Sequence, residues 1–503
     1  MNELSGKIGL YWQPLGGNNI DQISGHCYRY TDCSCSSASF SYTTLIIDIG
    51  KFDNYQALGV EGAVAALPDI RRFLSGGVFQ AAAVFITHSH PDHLNGLIHY
   101  LKLGYKLPPV YLGRYTAMIL EDLYAEFEID PDRRPELRLI DDGDVISVGS
   151  LTVEVIAASH TCFDSFGFII KSDSAVIYHT GDMKIDASTY FRKPTNLHRL
   201  KELSGKIDCV VADFCGVVEE GLAVREVETF KRLVKIMRAH RHRSKIFIPV
   251  YPTHPEMYII AFLAALKLRK NVVFYGNEDF CSYLNRIIGY GINFDRLAGK
   301  RIKVLYHPDA RIAELKDNYA VIGTYNFLDK VFRPTRRDSY GIVTAKTFFN
   351  PLKGQFNIRS IEFTTVDEEP QLQGFGHGFL GDYERLNDLL RQPLFIPTHC
   401  PRFVIENFYE LGEFLGFRLL KPAPRNLELY RINGGECVKI GEEVAEWLAV
   451  RYDEEHAVLT PVVQKATSGQ GFLKRTISNR RCGRRFKMIL HRRRRQAKGQ
   501  DNG

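Results

Sequence analysis

The 503-residue sequence predicts an α/β protein with a mainly parallel sheet, and three observations carry that prediction. Short apolar runs rich in Val, Ile, Phe and Tyr recur along the chain, bounded by turn residues. Stretches of helical periodicity alternate with the later runs. Four runs end abruptly in histidine or aspartate, as strands do where they leave a sheet toward a site.

Taken in order, strands are expected at Thr44–Ile49, Ala83–Ile86, Val153–Ala157, Gly167–Lys171 and Ala175–Tyr178. A second series is expected at Cys209–Ala212, Lys245–Val250, Asn271–Tyr275, Ala320–Gly323 and Gly341–Thr344, alternating with helices over Val227–His240 and Pro255–Leu268. A last run, Leu394–Pro397, precedes Thr398-His399-Cys400. The length exceeds what one core usually supports, so two domains with additions are expected. No internal repeat stands out.

Apolar residues make up 45% and charged residues 24%, the balance of an ordinary globular chain, and no apolar run is long enough to span a bilayer. Met1-Asn2-Glu3-Leu4-Ser5-Gly6-Lys7 has no apolar core of a secretory signal. Ten cysteines lack a disulfide-framework spacing, which fits a reducing cytoplasm. Cys33 and Cys35, beside Cys27, form a lone Cys-x-Cys read as structural. The net charge of +7 is unevenly divided. Residues 464–503 hold thirteen Lys or Arg against Asp501, a tail charge of +12, so the preceding 463 residues sum to −5. Such a tail is expected to be disordered and to contact a polyanion, RNA or a ribonucleoprotein first, with a solvated tail lacking any partner as the bland alternative.

The most informative segment is His88-Ser89-His90-Pro91-Asp92-His93, directly after the Ala83–Ile86 run. His88 and His90 are two apart, which in extended backbone puts both rings on one side. Asp92 and His93 reach a neighbouring position as the chain turns into a helix. Imidazole with carboxylate suits Zn²⁺, or Mn²⁺, and two sub-sites this close point to a binuclear centre. Other strand ends supply His160, Asp182 and His399. The expected division is His88, His90, His160 and Asp182 around one ion, and Asp92, His93, Asp182 and His399 around the other, with Asp182 shared. Two ions so placed activate water and stabilise the oxyanions of an in-line displacement.

These motifs resemble the metallo-β-lactamase superfamily, and more closely its β-CASP nucleases of the ribonuclease J type. The resemblance runs from about Ile8 to Ile440. Besides the histidine motif, it is carried by Pro14-Leu15-Gly16-Gly17, Asp48-Ile49-Gly50, Leu58-Gly59-Val60, Leu67-Pro68-Asp69-Ile70 and Asp164-Ser165-Phe166-Gly167. His179-Thr180-Gly181-Asp182, Val273-Phe274-Tyr275-Gly276 and Ile396-Pro397-Thr398-His399 complete it. The resemblance implies an αββα sandwich interrupted by an α/β β-CASP domain. Residues 1–208 would form the first part of the sandwich, 209–371 the insertion and 372–450 the return, ahead of the tail. It further implies that Asp213 orients a ligand histidine and that His377, in Gly374-Phe375-Gly376-His377-Gly378, contacts the scissile phosphate or protonates the leaving oxygen. Asp92, a ligand, would count with Asp213 and His377 among the catalytic groups.

Two places depart from the family. Ribonuclease J enzymes hold a 5′-monophosphate with a serine–asparagine turn and a His-x-Ser-Gly-His segment. Here Tyr251-Pro252-Thr253-His254-Pro255 stands at the first place, and Gln373-Gly374-Phe375-Gly376-His377 at the second. Phenylalanine cannot donate a hydrogen bond to phosphate. The family's C-terminal domain is not recognisable, and the basic tail takes its place. The expectation is therefore a cytoplasmic two-metal ribonuclease, exo- or endonucleolytic, with a rebuilt 5′-end pocket and with homodimerisation open. The alternatives are a DNA nuclease, since no ligand reads a 2′-hydroxyl, a small-molecule metallohydrolase such as a lactonase or cyclic-nucleotide phosphodiesterase, and a non-catalytic RNA-binding relative.

Overall fold

Period-two alternation along the strands sorts the apolar side chains into separate layers. In Ala81–Phe85, Ala83 and Phe85 face one core while Val84 faces another. Leu45 and Ile47 against Ile46, Phe168 and Ile170 against Ile169, and Val211 against Val210 and Ala212 divide in the same way. The protein, in a computed structural model, is described over residues 7–18, 24–36, 39–52, 63–306, 318–324, 339–342, 362–364, 368–369, 372, 376–442, 446–453, 458–465 and 479–500.

Two mixed sheets stack face to face. The first runs, edge to edge, through Glu436–Glu442, Glu428–Asn433, Gly9–Gly16, Cys27–Ser36, Ser39–Ile47, Ala81–Phe85, Val110–Leu112 and Leu137–Leu139. The second runs through Arg418–Leu419, Leu394–Thr398, Cys209–Asp213, Val176–His179, Phe166–Lys171, Leu151–Ala157 and Val145–Val148. Trp12, Tyr30, Phe85, Val155, Phe168 and Ile396 fill the space between them. Helices Gly96–Lys102 and Arg114–Glu126 cover the outer face of the first sheet, and Leu380–Leu389 with Arg402–Phe414 that of the second. This is the αββα sandwich.

A third, six-stranded sheet orders Val304–Tyr306, Asn271–Tyr275, Tyr319–Gly323, Lys245–Pro249, Ser339–Ile342 and Glu362–Thr364, every pair parallel. The mainly parallel sheet expected from the alternation is this one. The two body sheets are mixed: antiparallel pairs such as Cys27–Ser36 with Ser39–Ile47 stand beside parallel ones such as Ser39–Ile47 with Ala81–Phe85. A belt of buried charges ties the third unit to the body: Arg192 pairs with Glu226, whose backbone N–H donates to Asp186 at 2.8 Å.

The tail is not a disordered segment throughout. Gln464 and Lys465 lie in the strand Val458–Lys465, which pairs with Glu446–Asp453 and, through it, with Ala63–Pro68. Asn479–Gln500 forms a helix. It buries Cys482, Phe486, Ile489 and Leu490 against the core under Arg402–Phe414, with Phe486 and Phe408 rings 5.5 Å apart. The 482/486/489/490 spacing makes one apolar stripe, enough to dock a helix despite its many arginines. Arg485, Arg492, Arg493 and Arg494 pair with Glu219, Glu220, Glu384 and Glu410 of the body. Among the described residues no helix is long and apolar enough to cross a membrane.

Candidate metal centre

Parallel register delivers the polar residues to one edge. Asp213 pairs with Thr398 across adjacent parallel strands, so His399, the next residue, emerges beside it. His179 pairs with Val211, and the chain leaving that strand brings Asp182 to the same edge. Ile47 pairs with Phe85 in the first sheet, setting Asp48 against the segment that carries His88. Asp48 and His399 both take positive φ, 61° and 52°, uncommon for residues other than glycine and here found where the strands end. Gly50 fits because a Cβ there would come within 1.7 Å of the Asp92 carbonyl oxygen. Ile49 N–H donates to the His93 carbonyl, and Gly50 N–H to that of His26, at 2.9 Å each.

All seven residues expected to be ligands converge here. Donor atoms of His88, His90, His160 and Asp182 lie within 4.8 Å of one another, as do those of Asp92, His93, His399 and His26. Asp182 sits between the two groups. Its Oδ2 is 3.8 Å from His88 Nε2, 3.7 Å from His160 Nε2 and 3.4 Å from His93 Nε2, while Oδ1 is 3.5 Å from His399 Nδ1. A carboxylate so placed can serve both sides.

The outer nitrogens are held. His88 Nδ1 meets Thr87 Oγ1 at 3.0 Å, His93 Nδ1 meets Asp48 Oδ2 at 2.8 Å, and His160 Nδ1 meets the Gly376 carbonyl at 3.0 Å. Such contacts fix which ring nitrogen carries the proton and leave Nε2 as the donor atom. His88 Nε2 and His93 Nε2 are buried with no hydrogen-bond partner among the described residues. Buried imidazole lone pairs facing a carboxylate without hydrogen bonds fit divalent ions, so the residues suit a binuclear metal site.

Electrostatics separates the two groups. Burial holds His88 and His160 well below the usual histidine range, and His90 down to about 4. Burial acts in the same direction on His93 and His399, but the Asp182 carboxylate, with Asp92 and either Asp48 or Asp213, outweighs it. His93 is raised well above its ordinary value and His399 to about 10. Asp182 is held well below the carboxylate range: His399, His93 and His377 overcome the opposing effect of burial.

Asp213 lies between two histidines, its Oδ2 2.7 Å from His377 Nδ1 and its Oδ1 3.2 Å from His399 Nδ1. The His377 ring stands 5.0 Å from that of His160 and 4.8 Å from that of His399. His254, at the start of helix Pro255–Lys267 beside the third sheet, puts its ring 5.8 Å from that of His90. Gln373 and Phe375, which carry the second departure, and Leu58-Gly59-Val60 lie outside the described residues.

Sequence reasoning missed His26 as a member of the site. Gly25-His26-Cys27 has no second ligand-type residue at metal spacing, and the partners lie more than sixty positions away. It also assigned no task to Asp48, although Asp48-Ile49-Gly50 stood among the recognised segments.

Residues 64–248 match a family model described as a beta-lactamase superfamily domain. A ribonuclease J of Sinorhizobium meliloti is 30% identical over 195 residues, 38% of this chain and 33% of that protein. A ribonuclease J of Synechocystis is 25% identical over 262 residues, 52% of this chain and 38% of that protein. The chain thus spans little more than a third of the length of these curated relatives. A crystal structure of a protein of unknown function from Enterococcus faecalis superposes with a TM-score of 0.54 at 16% identity, over 86% of this chain and 100% of the other, a likeness of fold.

Proposed function

We propose that this metallo-β-lactamase-fold hydrolase with a His/Asp metal site is a two-metal phosphodiesterase acting on nucleic acid, RNA foremost. The observation that carries the reading is the pair of four-residue His/Asp groups that meet at Asp182. His88, His90 and His160 would hold one divalent ion and Asp92, His93 and His399 the other, with Asp182 facing both groups. Zinc fits these donors best, and manganese is accepted. Once bound, the ions supply a water nucleophile active at neutral pH and neutralise charge developing on the phosphate.

The remaining residues orient and move protons. Asp48 locks the His93 ring and Asp213 that of His399. Asp213 also holds His377 through Nδ1, so the ring keeps a fixed orientation and can pass a proton from Nε2 to the leaving oxygen. Cys209–Asp213 belongs to the second body sheet, so the β-CASP unit in this reading begins after it; that unit brings His254 up to the His90 side, where it would form the far wall of a substrate channel. By the resemblance, Tyr251-Pro252-Thr253-His254-Pro255 stands in for the family's serine–asparagine phosphate-binding turn, so in this reading the 5′-end pocket is rebuilt around different residues. Similarity to proteins named ribonuclease J supports RNA over DNA. The docked basic helix offers further phosphate contacts.

The test is a substrate panel. Metal-loaded protein is incubated with end-labelled RNA and DNA bearing 5′-monophosphate, 5′-triphosphate or 5′-hydroxyl, and with cyclic nucleotides and lactones. Cleavage of RNA ahead of DNA supports the reading. Cleavage of DNA alone would make this a DNA nuclease, and turnover of only the small esters would move it to the small-molecule hydrolases.

A further inference from the structure

His26 sits at the start of the strand Cys27–Ser36, far from every metal motif in the chain, yet its ring is among the best buried at the site. Both its backbone groups are clamped: its N–H donates to the Asp92 carbonyl at 2.8 Å, and its carbonyl accepts from Gly50 at 2.9 Å. Its Nδ1 meets the Tyr28 hydroxyl at 2.9 Å. The other nitrogen, Nε2, is buried without a hydrogen-bond partner among the described residues and lies 3.7 Å from Asp92 Oδ2. The His26 ring stacks on His93 at 4.4 Å and meets His399 edge-on at 4.2 Å.

The distances around Asp92 decide what this nitrogen is for. Asp92 Oδ2 lies 3.7 Å from His26 Nε2, 3.8 Å from His93 Nε2 and 3.7 Å from His399 Nε2. Four donors bound tetrahedrally to zinc at about 2.1 Å stand about 3.4 Å apart, so these separations are a few tenths of an ångström from a closed coordination sphere. A structural role would predict a hydrogen bond at Nε2, since an orphaned buried polar nitrogen costs stability.

We propose that His26 is a fourth protein ligand of the ion on the Asp92–His93–His399 side. The proposal rests on the two-ion reading above and adds an asymmetry to it. This side gains three imidazoles and a carboxylate of its own before Asp182 is counted, the complement of a closed site. The His88–His90–His160 side has three imidazoles and only the shared Asp182, one protein donor fewer, and so would more readily admit water or substrate. The ion on the His26 side is therefore the tighter and slower to exchange.

The test is a Co²⁺ titration of chelator-stripped full-length protein, read by visible absorption and by competition with a chromophoric chelator. Wild type is expected to take up two equivalents of unequal affinity. His26→Asn should weaken the tighter equivalent about 10–100-fold, the scale of losing support at a metal site, and leave the weaker one in place. His88→Ala should do the reverse, which identifies the sides. His26→Gln, nearer the imidazole in length, repeats the test should His26→Asn fail to fold. Two wild-type affinities in a folded His26 variant would overturn the proposal while leaving the two-ion reading intact. Fewer than two equivalents on the wild type would overturn both.

Discussion

His93 Nδ1 lies 2.8 Å from Asp48 Oδ2, joining a residue of the histidine motif to the end of a neighbouring parallel strand. Asp48 is itself fully buried and accepts from the Thr87 backbone N–H at 2.8 Å. The orientation of His93 is thus set by the sheet rather than by its own loop. Asp48→Asn should lower metal affinity on that side and turnover by about 10–100-fold with the fold retained. Equilibrium dialysis and circular dichroism on the same preparation check both halves, and unchanged metal affinity would remove Asp48 from the account.

Asp182→Asn should be more severe. An amide is a poor ligand, and this carboxylate faces imidazoles of both groups. Occupancy of both ions should fall, and hydrolysis by about 100-fold or more. Wild-type turnover with full metal content would contradict the shared role.

The two sides should respond differently to pH. In stripped protein the carboxylates raise His399 to about 10, above its unfolded value of about 6.5. A raised pKa contributes stability that is complete below about 6.5 and lost as pH rises through about 10. Thermal midpoints of EDTA-treated protein should fall across that window. Metal uptake on this side must displace those protons, so the stabilisation by zinc should grow over the same range. A metal-induced shift independent of pH would count against it.

The strand ends were legible because the chemistry and the periodicity coincide. A run such as Ala83–Ile86 both alternates between two cores and stops at a histidine, so a single reading yields a strand and a ligand. Asp182 and His399 followed for the same reason. His26 did not, because only tertiary register brings it over His93, and a lone histidine has no local signature. The docked helix was hidden by composition: thirteen cations in the tail outweighed an apolar stripe of four residues.

That stripe makes the last helix part of the core. Ile489→Ala should destabilise the protein by about 2–5 kcal/mol, measured by chemical denaturation. The helix can be tested for RNA contact without dismantling it, through exposed Arg484, Lys487 and Arg495. Changing all three to glutamine should leave the thermal midpoint in place and reduce the log–log salt slope of RNA binding by about 2, at roughly 0.7 per lost phosphate contact. An unchanged slope would assign RNA binding to the body alone.

In the proposed reading Thr253, His254, Gln373 and Phe375 replace the family's phosphate-binding residues, so exchanging a 5′-monophosphate for a 5′-hydroxyl should alter RNA cleavage only modestly. Initial rates on the two matched oligonucleotides check this. A strong preference for the monophosphate would mean that the chain still grips that group and would contradict the reading drawn from these departures.

The central claim, two ions acting together on a nucleic-acid phosphodiester, is tested most directly by titrating stripped protein with Zn²⁺ or Mn²⁺ while following cleavage of end-labelled RNA. Activity should stay low through the first equivalent, rise through the second and then level off. Full activity at one equivalent, or no cleavage of RNA with both ions bound, would contradict it.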